Sequence, residues 1–248
     1  LNFLDNIPNQ EGVFILGETH QSEFEKLYVA LREKEGRILS DEQVKSLPYL
    51  KDSPLTNEWK LRQESTKKFL TGIAKKGKLS VLEIGCGNGW FSNQMALTNQ
   101  NEVVGQDINL EELKQARRCF ELENLNFICC YDLEQLPDGR FDLIVFNASV
   151  QYFEFPNKTF ELLKTKLKQN GEIHIIDSPF YMNQEEASAA KNRSIQYYND
   201  KGFAPLSSFY YHHLIGELSI EKVHYKPSKI GKAFGKRNPF YWIQVKTS

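Results

Sequence analysis

The stretch Val81-Leu82-Glu83-Ile84-Gly85-Cys86-Gly87-Asn88-Gly89-Trp90-Phe91 constrains the fold more than any other part of the chain. A short apolar run leads directly into G-x-G-x-G, and an amphipathic stretch follows over residues 90–98. Glycines at such a junction let the backbone turn sharply and approach a ligand, while the free N–H groups opening the next helix favour an anion. In the first strand–helix turn of a doubly wound sheet, this is the place for a nucleotide-like ligand. The loop departs from the dinucleotide fingerprint G-x-G-x-x-G at its sixth position. Trp90 stands where close packing of helix on strand wants Gly or Ala, and that argues against NAD.

The rhythm around the loop extends it to a whole α/β domain. Apolar runs over residues 79–84, 102–108, 126–131, 141–146 and 172–176 read as strands. Helical patterns over residues 90–98 and 110–123 separate them, and Phe160, Leu163 and Leu167 mark the face of another helix that Asn170-Gly171 ends. Such alternation requires crossovers, and hence a mostly parallel sheet with helices on both faces. Further on, residues 185–198 and 206–218 read as helices. Residues 223–225 and 240–245 read as strands with no helix between them, which makes an antiparallel pair at one sheet edge. Residues 1–57 form a separate, mostly helical extension, and residues 58–248 the main domain with a helical insertion over about 183–218.

Composition narrows the class. Thirty-one Lys and Arg against 32 Asp and Glu leave a net charge of -1, which excludes a general polyanion binder. Apolar runs stop far short of the roughly 18 residues of a membrane helix, and residues 1–10 lack the basic start and apolar centre of a signal peptide. Cys86, Cys119, Cys129 and Cys130 form no C-x-x-C pair, and adjacent strand residues point to opposite faces, so no metal site is expected. They read as reduced thiols of a cytoplasmic protein. After Glu221 come Lys222, Lys226, Lys229, Lys232, Lys236, Arg237 and Lys246 without an acid. A solvated loop ahead of a core strand is favoured there over a nucleic-acid contact, because the charges are spread and no RNA-binding module accompanies them.

Two carboxylates complete the motif. Asp107 ends the second strand, where an acid can accept hydrogen bonds from both hydroxyls of a ribose. Asp132 ends the third, where an acid can take an adenine amino group while Leu133 packs the ring. Either alone is most economically a turn cap. With the glycine loop, three strand ends carry suitable groups in a suitable order.

These residues resemble the class I S-adenosylmethionine-dependent methyltransferase family, in a small-molecule branch that includes quinone-biosynthesis enzymes. The similarity covers about residues 60–180 and lies in the run from Leu82 to Gly89, in Asp107 with Ile108, in Asp132-Leu133, and in the fourth strand with Asn147 and Ala148. It implies a seven-stranded, mainly parallel sheet with an antiparallel edge strand and an N-terminal helical extension. It also implies S-adenosylmethionine as cofactor, S-adenosylhomocysteine as product and a small-molecule acceptor. By that resemblance Gly85, Cys86, Gly87, Asn88 and Gly89 hold the methionine carboxylate, Glu83 its amino end, and Asp107 the ribose. Many relatives carry a His just after the fourth strand, whereas this chain reads Ser149-Val150-Gln151-Tyr152-Phe153.

Methyl transfer from a sulfonium is an in-line displacement, so positioning in a dry cavity supplies much of the catalysis. A base is needed only if the acceptor loses a proton. The acceptor belongs beyond the fourth and fifth strands, near residues 147–152 and 177–181. His212, His213 and Tyr152 are the candidates for a catalytic role, the two histidines on the helix expected over residues 206–218; His174 reads as structural, and His20 and His224 carry no context. Arg62, on the helix before the first strand, is placed to cover the methionine end, with residues 1–57 as a lid. An RNA or protein methyltransferase, or a binding protein without transfer activity, are the alternatives. Oligomeric state has no signal in the sequence.

Overall fold

The computed structural model describes residues 2–18, 22–51, 53–227 and 239–247. Nine strands among them form one sheet. In chain order they are β1 (Asn9–Gln10), β2 (Val13–Leu16), β3 (Ser80–Ile84), β4 (Glu102–Asp107), β5 (Leu125–Cys130), β6 (Phe141–Asn147), β7 (Leu167–Ser178), β8 (Ile220–Tyr225) and β9 (Tyr241–Val245). Their order across the sheet is β1-β2-β5-β4-β3-β6-β7-β9-β8. The strands from β2 to β7 pair in parallel, whereas β9 runs antiparallel to both β7 and β8, and β1 antiparallel to β2. The chain winds outward from β3 in both directions, and the crevice at its carboxyl end lies where the winding reverses.

Helices cover both faces: α1 (Glu23–Lys34), α2 (Asp41–Ser46), α3 (Thr56–Ile73), α4 (Trp90–Leu97), α5 (Leu110–Cys119), α6 (Pro156–Lys166) and α7 (Gln184–Lys201). Two apolar layers follow. One holds Phe69, Phe91, Met95, Leu113 and Phe127; the other holds Leu82, Ile84, Phe146, Phe160 and Leu163. Strands β3, β5 and β6 are buried almost throughout, which is why they read as near-continuous apolar runs.

Doubly wound, mainly parallel architecture with antiparallel strands at one edge is as expected, but the sheet has nine strands rather than seven. The difference lies in the N-terminal extension, which is not purely helical. Val13-Phe14-Ile15-Leu16 pairs with residues 127–130 of β5 and covers what would have been that strand's open edge. The run is bracketed by Gly12 (φ 83°) and Gly17 (φ 85°), and four apolar residues are too few for periodicity to separate strand from helix.

Three further expectations are corrected. Residues 206–218 form no α-helix: a 3-10 turn over Ala204–Phe209 gives way to extended backbone, stitched by Tyr211 N–H to Gln151 O (2.8 Å) and Tyr181 N–H to His213 O (3.0 Å). These bonds to neighbouring segments stand in place of helical ones. Asn170-Gly171 does not end a helix; α6 stops at Lys166, and Asn170 (φ 62°) lies inside β7, next to the register shift against β6. Finally, α5 ends at Cys119, short of Glu123. His20, Lys229, Lys232, Lys236 and Arg237 lie outside the described residues. Among those described, no helix is long and apolar enough to cross a membrane.

Candidate cofactor and acceptor site

The glycine loop is held in shape from two sides. Gly85, Gly87 and Gly89 all have positive φ (72°, 51° and 70°), a region costly for residues with a β-carbon. The Gly85 and Cys86 amides both donate to Gln106 O, at 2.8 and 2.9 Å. A β-carbon on Gly85 would stand 2.6 Å from that of Ser149, whose hydroxyl donates to Ile84 O at 2.6 Å. The turn after β6 therefore closes directly on the loop.

Asp107 is the other clamp. Its Oδ2 accepts the Gly87 amide at 2.8 Å, and its Oδ1 accepts those of Ile108 and Asn109 at 2.7 and 2.9 Å. Burial pushes this carboxyl above its ordinary range, and the three amides partly offset the push.

A cavity of about 510 Å³ opens over these groups, within the range of small-ligand sites. Gly85, Cys86, Gly87 and Asn88 line it from the loop, Asp107 and Ile108 from the end of β4, and Asn147 and Ala148 from the end of β6. Four sequence candidates stay outside its wall. Glu83 is buried against Ser92 Oγ of α4, and burial pushes its carboxyl up to about 8. Gly89 opens α4, where a β-carbon would stand 2.6 Å from the Phe127 ring and 2.8 Å from the Ala116 β-carbon. Close packing of helix on sheet thus falls at the third glycine. Trp90 is freed to face the cavity, edge-on to Trp59 at 5.2 Å. Asp132 is exposed and caps a 3-10 turn by accepting the Glu134 amide at 3.0 Å, and Leu133 packs into the other core layer.

The space beside β5 is filled by the N-terminal extension instead. Ser22 and Glu25 line the cavity there, with Glu25 accepting the Tyr131 hydroxyl. Glu25 and Glu112, both on the wall, were not singled out from the sequence. Glu112 was hidden as an ordinary first-turn acid of α5, yet its Oε2 hangs over the loop, 3.5 Å from where a Gly87 β-carbon would be. Burial and the neighbouring Asp107 push it up to about 7. Phe24, Tyr28 and Arg32 of α1 also face the cavity. Their four-residue spacing was a legible helical face, but nothing in the sequence said what it faces.

Of the catalytic candidates, Tyr152 stands in the cavity wall and the histidines do not. His212 is bonded to Ser194 Oγ at 3.0 Å and pushed down to about 4 by burial; His213 is likewise lowered by burial. Arg62 is in the wall, paired with Glu58 at 3.1 Å. Among the described residues, no group of His, Cys, Asp and Glu side chains is placed to hold a metal ion.

Among the described residues, three buried polar atoms on the wall lack a partner: Asn147 Oδ1, Asn109 Nδ2 and Trp59 Nε1. Such atoms are costly unless a ligand or water meets them, so the wall is built for a polar molecule. An acceptor from Asn147, donors from Asn109 and Trp59, and a carboxylate at the end of β4 fit an amino acid joined to a nucleoside.

A glycine-loop cavity at the reversal point of a doubly wound sheet, closed by an antiparallel edge, defines the class I S-adenosylmethionine-dependent methyltransferase architecture. A family profile described as a methyltransferase domain matches residues 75–225, and the chain belongs to that family, whose methyl donor is S-adenosylmethionine. Over 97 residues the chain is 35% identical to malonyl-[acyl-carrier protein] O-methyltransferase 2 of Ilyobacter polytropus, covering 38% of this chain and 37% of the relative. Over 162 residues it is 26% identical to phosphoethanolamine N-methyltransferase 1 of Zea mays, covering 62% and 32%. The matches thus span only about a third of these relatives' lengths. Magnesium protoporphyrin IX methyltransferase of Synechocystis, solved with S-adenosylhomocysteine, shares the fold at a TM-score of 0.56 and 15% identity, covering 89% of this chain and 97% of that one. An S-adenosylmethionine-dependent methyltransferase of Mesorhizobium loti does so at 0.51 and 18%, covering 68% and 90%.

Proposed function

We propose that this chain transfers the methyl group of S-adenosylmethionine to a small-molecule acceptor. The observation that carries this is the cavity that joins the glycine loop, Asp107 and the partnerless Asn147 Oδ1 in one wall. In this assignment Asp107 receives the ribose hydroxyls, and Gly85, Cys86, Gly87 and Asn88 approach the methionine end through backbone. Asn147 Oδ1 accepts from the ammonium. Glu25 and Glu112 add negative potential that suits a cationic ligand. When bound, the cofactor supplies an electrophilic methyl carbon on a positively charged sulfur. The protein's share is to exclude water and align the acceptor behind that carbon, which Phe24, Tyr28 and Tyr152 do by walling the cavity with rings.

Relatives are named for methylation at oxygen of a malonyl group carried on acyl-carrier protein and at nitrogen of phosphoethanolamine, and small reacting groups of both kinds accord with this reading. Calorimetric titration with S-adenosylmethionine and S-adenosylhomocysteine, with NAD as control, tests it. Micromolar binding of both sulfur ligands and none of NAD is expected. A folded sample that binds neither overturns the assignment.

A further inference from the structure

A second cavity, of about 380 Å³, lies against the first. Arg32, Arg37 and Arg62 stand in the wall that the two share, together with Tyr28, Tyr152 and Ala148. Beyond that wall the second cavity is faced by the rings of Tyr197, Tyr198 and Tyr210. Tyr152 meets Tyr28 and Tyr210 edge-on at 6.0 and 5.7 Å, so the rings form a continuous aromatic lining.

The three guanidiniums are unequally matched. Arg37 is paired with Glu35 at 3.3 Å and Glu58 at 3.0 Å, and Arg62 with Glu58 at 3.1 Å. Among the described residues, the Arg32 guanidinium has one hydrogen bond, to Tyr28 Oη at 2.8 Å, and comes no nearer than 3.6 Å to Glu35, which Arg37 already holds. A guanidinium carries five N–H donors in a planar fork made for a carboxylate. Arg32 lies over the Tyr28 ring at 4.8 Å, which fixes its plane.

The carboxylates are distributed to match. Glu35 and Asp177 face the second cavity, and Asp177 accepts the Ser65 hydroxyl at 2.7 Å. Glu58, the partner of Arg37 and Arg62, stands on the side of the first cavity, so among the described residues Arg32 is the guanidinium of the shared wall with no carboxylate nearer than 3.6 Å. The first cavity adds Glu25, Asp107 and Glu112 to its wall. A cationic methyl donor and an anionic acceptor would each find the field that suits it.

Proton accounting agrees. Apart from the arginines, the titratable groups of the shared wall are Tyr28 and Tyr152, and burial holds both phenols above their ordinary range. Among the described residues, that wall holds no carboxylate and no imidazole. A carboxylate needs no base, whereas a phenol, alcohol or ammonium acceptor would have to pass its proton to a group outside this shared wall.

We propose that the second cavity binds an aromatic carboxylic acid, with its ring among the tyrosines and its carboxylate on Arg32, and that the product is the methyl ester. This rests on the methyltransferase reading above. A lone pair of the carboxylate oxygen forms the C–O bond to the methyl carbon. The S–C bond breaks with its electron pair going to sulfur, which leaves a neutral thioether, and no proton moves.

Calorimetry on the full chain saturated with S-adenosylhomocysteine compares trans-cinnamate, cinnamyl alcohol and cinnamylamine. Cinnamate is expected to bind at least tenfold more tightly than the alcohol, with the amine weakest. Arg32→Gln is expected to lower cinnamate affinity at least tenfold relative to S-adenosylhomocysteine affinity, and Arg32→Lys to restore part of it. A labelled-methyl assay with 4-hydroxycinnamate, which offers a carboxylate and a phenol, is expected to give label that mild alkali releases, as from an ester. The proposal is overturned if the alcohol or amine matches cinnamate, if cinnamate does not bind, or if the label is alkali-stable. It is also overturned if Arg32→Gln, folded, keeps the wild-type preference. The wild-type arms stand even if the variants fail to fold. Failure of S-adenosylhomocysteine itself to bind is a different result, and it overturns the methyltransferase reading.

Discussion

Asp107 accepts the Gly87 amide at 2.8 Å, so the carboxylate that faces the cavity also shapes the loop on which the ligand rests. Its second oxygen holds the first two amides after β4. Binding and local structure are therefore inseparable at this side chain. Asp107→Ala is expected to lower S-adenosylhomocysteine affinity at least tenfold by calorimetry. It should also cost about 1–3 kcal/mol in urea unfolding, because buried amides lose their acceptor.

Asp132 provides the contrast. It sits at the analogous strand end, yet its carboxylate is exposed and spent on the Glu134 amide. Asp132→Ala is expected to change S-adenosylhomocysteine affinity less than twofold. A loss approaching that of Asp107→Ala would mean that the end of β5 reaches the ligand after all.

Gly89→Ala probes packing away from the cavity wall. The new methyl would stand 2.6 Å from the Phe127 ring at a backbone φ of 70°. Overpacking and left-handed strain together should cost about 2–4 kcal/mol. Urea unfolding of the variant beside wild type measures it, and a shift below roughly 0.5 kcal/mol would show that α4 can lift off the sheet.

Glu83 sets a pH dependence. In the folded chain its buried carboxyl keeps a proton until about 8, whereas the unfolded chain releases it near the ordinary value of 4.5. Between those values the folded state binds more protons, so stability falls as pH rises through the window. Glu112, pushed up to about 7, has the same sign. The melting temperature should therefore fall between about pH 4.5 and pH 8 and level off above that, and Glu83→Gln should flatten the fall. A variant with an unchanged pH profile would mean that Glu83 is ionised in the folded chain.

The sequence was most legible where both faces of an element are buried. β3, β5 and β6 are near-continuous apolar runs, and the glycines and Asp107 sit at strand ends whose chemistry local pattern reveals. Asp107 and Asp132 look alike in sequence, however, and only the docking of Val13–Leu16 on β5 separates them. That docking is a long-range pairing of a short apolar run, which periodicity cannot resolve. Arg32 was invisible for a related reason. Its surplus charge exists only because Glu35 and Glu58 are engaged elsewhere, and ion-pair arithmetic of that kind is tertiary. The aromatic run at His212 and His213 has a helical pattern in sequence, yet its backbone bonds to Gln151 and Tyr181 hold it extended.

The pairing of Val13 with Phe127 also orders events in time. Until β5 is made, more than a hundred residues further on, β2 has only the two residues of β1 to pair with. Until then α1, with Phe24, Tyr28 and Arg32, has no sheet edge beside it on which to settle. Contacts so distant along the chain form late in folding. The Gly87–Asp107 clamp closes a span of 20 residues and the docking of β2 on β5 one of more than a hundred, so the loop is expected to take shape before the α1 wall that encloses it.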